Sequence, residues 1–84
     1  MNFVFTKHAQ DKLKRLDMKK FQISKKIIEL ILNSPKYKGL TKYGDYTAVS
    51  ALDERHDLRV IYTVIGSKTL KVITFHISEK GRYR

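Results

Sequence analysis

The 84-residue chain contains no cysteine and no tryptophan, and no apolar run approaches the roughly 18 residues that a membrane span requires. Without cysteine, neither a disulfide framework nor a cysteine metal site can form. The histidines at positions 8, 56 and 76 lack a metal-ligand spacing and the eight acids are scattered, so we expect no metal and no cofactor. The start is too short for the apolar part of a signal peptide, and we therefore expect a cytoplasmic protein without a membrane segment.

Acidic residues are scarce relative to basic ones. The chain has 18 Lys and Arg against eight Asp and Glu, which gives a net charge of +10 and a pI of about 10.0. Such a charge favours a polyanionic partner, and RNA is the one we expect. Lysines dominate residues 1–42, whereas four of the five arginines lie in residues 43–84. The planar guanidinium fork suits specific phosphate contacts, so the second half is where we look for a site.

Two helices are predicted in the first forty residues. An apolar stripe with the i, i+4, i+7 spacing predicts a first helix over residues 7–17. Its members are Ala9, Leu13 and Leu16, and a basic stripe beside it holds His8, Lys12, Arg15 and Lys19. Ser24 is a suitable N-cap for a second helix with a broad apolar surface, which Asn33-Ser34-Pro35 ends.

From Tyr43 onward the apolar residues recur with period two, which predicts strands over residues 46–52, 58–65 and 70–77. The segment 3–5 is either a short edge strand or an apolar clamp under the first helix. Helices followed by strands predict an α+β fold. We expect one domain over residues 1–84, with two N-terminal helices packed on one face of a twisted antiparallel sheet of about four strands.

The register of the last two strands depends on the turn at Gly66-Ser67. A type II′ turn with glycine first pairs Ile65 with Lys68 and places Arg59 opposite Thr74. The face expected to contact the helices then holds Leu58, Val60, Tyr62, Val64, Ile73, Phe75 and Ile77. The opposite face holds Arg59, Ile61, Thr63, Val72, Thr74 and His76. Arg59 and His76 are therefore predicted to lie one diagonal apart, near roughly 7–8 Å at the backbone.

Several side chains have the chemistry needed to cleave RNA without a metal. Such cleavage requires removal of a 2′-OH proton, protonation of the leaving 5′-oxygen and a counter-charge for the phosphorane. His76 can move protons near neutral pH, Arg59 and Arg82 can pair phosphate oxygens, and Tyr83 can stack on a base or donate a proton. His8 is a further catalytic candidate at the start of the first helix. Residues expected to contact nucleic acid are Lys12, Arg15, Lys42, Arg55, Lys80 and Arg84.

Two short motifs and the order of the elements resemble the RelE/ParE toxin superfamily. Phe5-Thr6-Lys7-His8 begins the first helix and Lys80-Gly81-Arg82-Tyr83 follows the last strand, as in an uncharacterised branch of that superfamily. The likeness spans nearly the whole chain. It implies a small RNA endonuclease in which Arg59 matches a central-strand arginine, while Arg82 and Tyr83 match the C-terminal pair. The predicted strand 46–52 departs from the best-known members because it carries no pair of lysines.

The resemblance leaves three functions open. The first is a RelE-like toxin or toxin-derived endoribonuclease that cleaves by 2′-OH attack, free or on the ribosome, and is held by an acidic antitoxin protein. The second is a non-catalytic module that binds nucleic acid or a ribosome through the same basic surface. The third is a ParE-like inhibitor that binds a topoisomerase and does no chemistry. A common face for His76 and Arg82 would favour the first.

Overall fold

The computed structural model describes residues 1–84 as three helices and five strands. In chain order they are β1 (Asn2–Phe5), α1 (Lys7–Lys12), α2 (Leu16–Lys20), α3 (Lys25–Asn33), β2 (Tyr37–Leu40), β3 (Tyr46–Ala51), β4 (His56–Gly66) and β5 (Thr69–Glu79). The strands form a single sheet in the order β1-β5-β4-β3-β2. β1 runs parallel to β5, and the other neighbours are antiparallel. The α+β class is confirmed, but the sheet is mixed and five-stranded and there are three helices.

The predicted helix over residues 7–17 is wrong in its extent, because α1 ends at Lys12 and α2 begins only at Leu16. Arg15 between them has an extended backbone. In a straight helix Leu16 would share a face with Ala9, and Met18 would point the opposite way. The break reverses this: Ala9 and Met18 are both buried in the core, whereas Leu16 is 84% exposed. No helix is long and apolar enough to cross a membrane.

The second predicted helix is confirmed as α3. Ser24 is its N-cap, and the serine hydroxyl accepts a hydrogen bond from the backbone N–H of Ile27 at 3.3 Å. Ile23 before the cap and Ile28 after it are both buried, as a hydrophobic staple requires. The helix therefore presents one apolar face to the sheet.

The helices cover one face of the sheet, and the hydrophobic core lies there. Its strand residues are Ala48, Leu58, Val60, Tyr62, Leu70, Val72 and Phe75. The prediction that Leu58, Val60, Tyr62 and Phe75 face the helices is confirmed. The opposite face carries the alternate residues of the same strands, and one row of paired residues crosses four strands there. That row is Tyr37, Val49, Arg59 and His76.

The turn between β4 and β5 lies one residue later than predicted. Gly66 pairs with Thr69, so the two loop residues are Ser67 and Lys68. The predicted turn at 66–67 is therefore wrong. Around Arg59 the pairing is shifted by two residues from the prediction, because the irregularities at Ile65 in β4 and Ile73 in β5 offset each other, and this even shift keeps Arg59 and His76 on the predicted face.

This later turn changes the neighbours of Arg59. Arg59 lies directly opposite His76, not Thr74, and Asp57 lies opposite Ser78. Directly opposed residues have Cα atoms only about 4.5–5.5 Å apart, closer than the predicted diagonal. The predicted common face of Arg59 and His76 is therefore confirmed, and the two residues are nearer than expected.

A bulge in β5 accounts for a second difference. Ile61 pairs with Thr74 and Tyr62 pairs with Val72, so Ile73 has no partner on β4. The extra residue reverses the alternation along β5 at this point. Val72 is consequently buried in the core, although the simple alternation placed it on the opposite face.

The edge strand β2 was not predicted. It is only four residues long, contains a glycine and is mostly exposed, so it carries no alternating apolar pattern. β2 nevertheless places Tyr37 at the end of the row that includes Arg59 and His76. The segment 3–5 is resolved in favour of an edge strand, because β1 pairs with β5.

Candidate functional site

Three predicted site residues meet on the face of the sheet opposite the helices. The Tyr83 ring lies over the Arg59 guanidinium, with 4.2 Å between the ring centroid and Cζ. The same ring meets the His76 imidazole edge-on, with the centroids 5.3 Å apart. Arg82, next in the chain to Tyr83, has its Cζ 5.7 Å from that ring. The strands position Arg59 and His76, and the segment after β5 brings Tyr83 and Arg82 onto them.

Arg59 has no carboxylate partner. The three salt bridges of the chain join Arg15 to Asp17, His56 to Asp53 and Arg84 to Asp57. Asp53 and Asp57, which precede Arg59 in the chain, are therefore both engaged elsewhere. The Nε of Arg59 is buried and makes no hydrogen bond. A guanidinium in this position is costly unless an anion pairs with it.

Three buried polar atoms on this face lack a hydrogen-bond partner within the chain. They are Arg59 Nε, His76 Nε2 and Ser78 Oγ. Arg59 and His76 are cross-strand neighbours, and Ser78 lies two residues farther along β5, roughly 7 Å from His76. Buried groups of this kind normally find partners, because leaving one unsatisfied costs about 1–3 kcal/mol. Arg59 Nε and the Ser78 hydroxyl can donate to the oxygens of an anion, and His76 Nε2 can donate or accept according to its tautomer.

His76 is neutral at physiological pH. Burial lowers the pKa of its imidazole, and the nearby positive charges of Arg59, Lys12 and Arg82 lower it further. A neutral imidazole has one ring nitrogen free to accept a proton. His76 therefore has the protonation state that a general base needs at neutral pH.

A buried ion pair holds the C-terminal segment against the same face. Asp57, with 0% of its surface exposed, accepts hydrogen bonds from Arg84 Nε at 3.1 Å and Arg84 Nη2 at 2.8 Å. The backbone N–H of Gly81 donates to the same carboxylate at 2.9 Å. Burial raises the pKa of Asp57, but these hydrogen bonds and the charges of Arg84 and Lys80 outweigh it and keep the pKa below its usual value. Arg84 was predicted to contact nucleic acid, but its guanidinium is occupied by Asp57.

Helix α1 brings further basic groups to the edge of this face. His8 Nε2 lies 3.2 Å from the hydroxyl of Thr74, which is two residues before His76 on β5. Lys12 is near enough for its charge to act on His76. Burial lowers the pKa of the Lys12 ammonium, and the charge of Arg15 adds to the effect. A cleft of about 250 Å³ is lined by His8, Asp11, Lys12 and Arg15.

The remaining predicted residues divide into near and distant ones. Arg55 and Lys80 lie beside the C-terminal segment, where the Lys80 N–H donates to the Arg55 carbonyl at 2.9 Å. Lys42 lies in the turn between β2 and β3, seven residues before Val49, the strand position paired with Arg59. At about 3.4 Å per residue this is more than roughly 10 Å from the site. The structure thus brings Arg59, His76, Arg82 and Tyr83 together, places His8 and Lys12 at the edge of the same face, and leaves Lys42 apart.

Sequence reasoning missed Ser78 and the role of Asp57. Both occupy alternate positions to predicted site residues, Ser78 two after His76 and Asp57 two before Arg59, and this spacing was the available signal. No group of three or more His, Cys, Asp or Glu side chains is arranged to hold a metal ion. The two larger cavities, of about 320 and 390 Å³, have predominantly apolar linings and do not include Arg59, His76 or Tyr83.

Comparisons with protein-family models, with curated proteins and with solved structures give no match to this chain. Function is therefore inferred from the geometry of the residues themselves.

Proposed function

We propose that the chain is a metal-independent RNA endonuclease that cleaves by attack of a 2′-OH on the neighbouring phosphate. One observation carries the proposal. Arg59 and His76 lie side by side under Tyr83, and each has a buried nitrogen without a partner in the chain. A phosphodiester supplies the oxygens that these groups lack, and it carries the charge that Arg59 requires.

The phosphate is held by the groups on the sheet. Arg59 pairs a non-bridging oxygen and counters the charge that builds up on the phosphorane, as donors in an oxyanion hole do. The Ser78 hydroxyl, buried and without a partner, donates to the same phosphate. Arg82 and Lys12 surround this position and add positive charge from two sides.

Two proton transfers complete the reaction. The 2′-oxygen attacks phosphorus, and its proton passes to the neutral imidazole of His76. The bond between phosphorus and the 5′-oxygen breaks, and the leaving oxygen takes a proton from the Tyr83 hydroxyl. The products are a 2′,3′-cyclic phosphate and a 5′-hydroxyl end. Return of the proton from His76 to Tyr83 restores the starting state, so the reaction consumes no water and needs no redox partner.

Basic groups on both sides of the site extend the RNA-binding surface. His8 and Lys12 lie on α1 and Arg15 follows that helix, and Arg55 and Lys80 lie at the other end near the C-terminal segment. Phosphates flanking the cleaved bond would contact these two groups, which gives the RNA a path across the face from α1 to the tail. Lys42 lies off this path.

The proposal includes a biological setting taken from the resemblance to RelE-like toxins. A toxin of this type acts on RNA in the cytoplasm, free or on the ribosome, and is held inactive by an acidic antitoxin. The net charge of +10 supports an acidic partner as well as RNA. Co-purification from the native host tests this part, since recovery of the protein alone, active and harmless to cells, would contradict it.

A second candidate is a module that binds RNA without cleaving it. The stacked Tyr83–Arg59 pair favours it, because an aromatic ring next to a guanidinium is a platform for bases whether or not chemistry follows. The ParE-like inhibitor is a prediction from the resemblance alone.

Incubation of the purified protein with RNA in EDTA separates the candidates. Cleavage with 2′,3′-cyclic phosphate and 5′-hydroxyl ends supports the nuclease, whereas 5′-phosphate ends or full activity of a His76→Ala, Arg59→Ala double variant would contradict it. Lys68→Ala is the charge-matched control, because Lys68 is exposed in the β4–β5 turn away from the site. RNA binding without cleavage would support the binding module.

A further inference from the structure

We propose that Asp57 and Arg84 are positioning residues, whose ion pair docks residues 81–84 on the sheet and thereby holds Tyr83 over Arg59 and His76. The importance of this docking for RNA rests on the proposed function. The docking itself can be measured without RNA.

The Asp57 carboxylate is used entirely for holding the tail. All of its hydrogen bonds come from the two ends of the segment, the N–H of Gly81 and the two guanidinium nitrogens of Arg84. Two parallel bonds from one guanidinium to one carboxylate form a planar fork, which fixes direction as well as distance. The Arg84 side chain is only 18% exposed, and its Cζ lies 4.7 Å from the Tyr37 ring centroid.

Nothing else in the backbone ties the last three residues to the sheet. Lys80 N–H bonds to Arg55, but the amides of Arg82 and Arg84 bond only to Glu79 and Gly81 in the preceding turn. Gly81 has φ of +84°, a conformation that reverses the chain and that other residues adopt with strain. The chain therefore reverses direction at Gly81, and the Asp57 carboxylate accepts hydrogen bonds from the reversed segment.

The position of Tyr83 follows from these two anchors. Tyr83 lies between Gly81 and Arg84, and both of those residues bond to Asp57. Arg59 is two residues after Asp57 on the same face, roughly 7 Å away. A ring held between the anchors is thus within reach of Arg59, and the observed separation of 4.2 Å is the result.

The ion pair has a second effect, on the charge of Arg59. Asp57 is the nearest acid on the same face of β4, and a free Asp57 carboxylate would be the natural partner of Arg59. Arg84 occupies that carboxylate and leaves Arg59 without one. Removal of Arg84 should therefore do two things: it releases the tail, and it gives Arg59 an internal anion that competes with phosphate.

The first experiment measures docking in the whole chain without RNA. The ring protons of His76 feel the ring current of Tyr83, so their NMR shifts report whether Tyr83 is in place. Arg84→Ala should move these shifts in the same direction as Tyr83→Ala, and Arg84→Lys, which keeps the charge but loses the fork, should move them part of the way. Lys68→Ala should leave them unchanged.

His76 shifts that stay at the parent values in Arg84→Ala would overturn the proposal. If Arg84→Ala does not fold, Arg84→Lys and Asp57→Asn answer the same question, because both keep the size of the side chain. The result does not depend on whether the chain cleaves RNA.

The second experiment measures the competition for Arg59. The probe is an eight-nucleotide single-stranded DNA, which has phosphates but no 2′-OH and cannot be cleaved by the proposed reaction. Arg84→Ala should weaken its binding on the order of tenfold. Adding Asp57→Asn to Arg84→Ala removes the competing charge and should restore part of the affinity. A double variant that binds no better than Arg84→Ala would overturn the competition.

Discussion

The two faces of the sheet are built on different rules. The helix-covered face buries apolar side chains from the strands and the helices, including Leu58, Val60 and Phe75 at 0% exposure. The opposite face carries Arg59, His76 and Ser78, whose buried polar atoms have no partner within the chain. The apolar face is thus filled by side chains of the chain itself. The polar face has buried groups that only a bound ligand can hydrogen-bond. Stability and function are therefore expected to separate between the faces.

The covers of the two faces also differ. Three helices pack on the apolar face, whereas the four-residue segment 81–84, anchored by one carboxylate, covers part of the polar face. The cover of the polar face therefore depends on one ion pair, and the cover of the apolar face depends on side-chain packing. RNA access to Arg59 and His76 requires no opening of the core.

The largest effect should come from His76→Ala on the polar face. Loss of the general base is expected to lower the cleavage rate by roughly 10²–10⁴. The free energy of unfolding should change by less than about 1 kcal/mol, because His76 Nε2 makes no hydrogen bond in the chain. Single-turnover cleavage and urea unfolding of the same preparation measure both. A large loss of stability would mean that the polar face also supports the fold.

The converse effect is expected from Leu58→Ala on the apolar face. A fully buried leucine leaves a cavity when truncated, and the free energy of unfolding should fall by about 2–5 kcal/mol. Cleavage per folded molecule should stay near that of the parent, since Leu58 points away from Arg59. Activity measured at a temperature where the variant is fully folded checks this. A loss of activity in the fully folded variant would show that the apolar face also contributes to catalysis.

Substitutions of Tyr83 sharpen the role of the tail. If its hydroxyl protonates the leaving oxygen, Tyr83→Phe should slow cleavage about as much as Tyr83→Ala, on the order of 10². If the ring only stacks on a base, Tyr83→Phe should be close to the parent and Tyr83→Ala should not. Tyr43→Ala serves as the control, because Tyr43 is 80% exposed in the β2–β3 turn. Rates at saturating RNA distinguish the two results.

The smallest effect concerns pH. The pKa of His76 is lowered in the folded chain by burial and by Arg59, Lys12 and Arg82. As the pH falls, His76 in the unfolded chain therefore binds a proton near the ordinary pKa of about 6.5, and His76 in the folded chain binds one only at lower pH. The contribution of His76 to stability is present above that pH and is lost as the pH falls toward the lower folded pKa.

Urea unfolding between pH 8 and 5 measures this loss, and His76→Gln is the reference. The difference between parent and variant isolates the contribution of His76 from that of the other titratable groups. A parent and variant with parallel pH curves would show that the charges around His76 do not act on it.

The sequence carried enough information to bring Arg59 and His76 together. Alternation with period two gives each side chain a face, and the shift of two residues in the β4–β5 pairing did not alter the face of Arg59 or His76. The N-cap of α3 at Ser24 was also predicted correctly, because capping depends on neighbouring residues in the sequence. Properties that depend on neighbours in the chain were thus predicted well.

Properties that depend on contacts between distant parts of the chain were not predicted from the sequence. The break at Arg15 follows from the requirement that Met18 reach the core, which no local spacing reveals. The bulge at Ile73 and the edge strand β2 are set by partners across the sheet. The Asp57–Arg84 pair forms only because the chain reverses at Gly81, and the sequence does not reveal this reversal. Arg84 was therefore predicted to contact phosphate.

The pairing of β1 with β5 determines when the site can form. Residues 2–5 lie beside residues 69–72, so this edge of the sheet can close only after residues 69–72 have been synthesised. Contacts between such distant segments are slow to form because a long loop must be ordered first. The same closure brings Lys12 and His8 of α1 to β5, beside His76. A partly synthesised chain would carry some of the chemical groups without the arrangement that lets them act together.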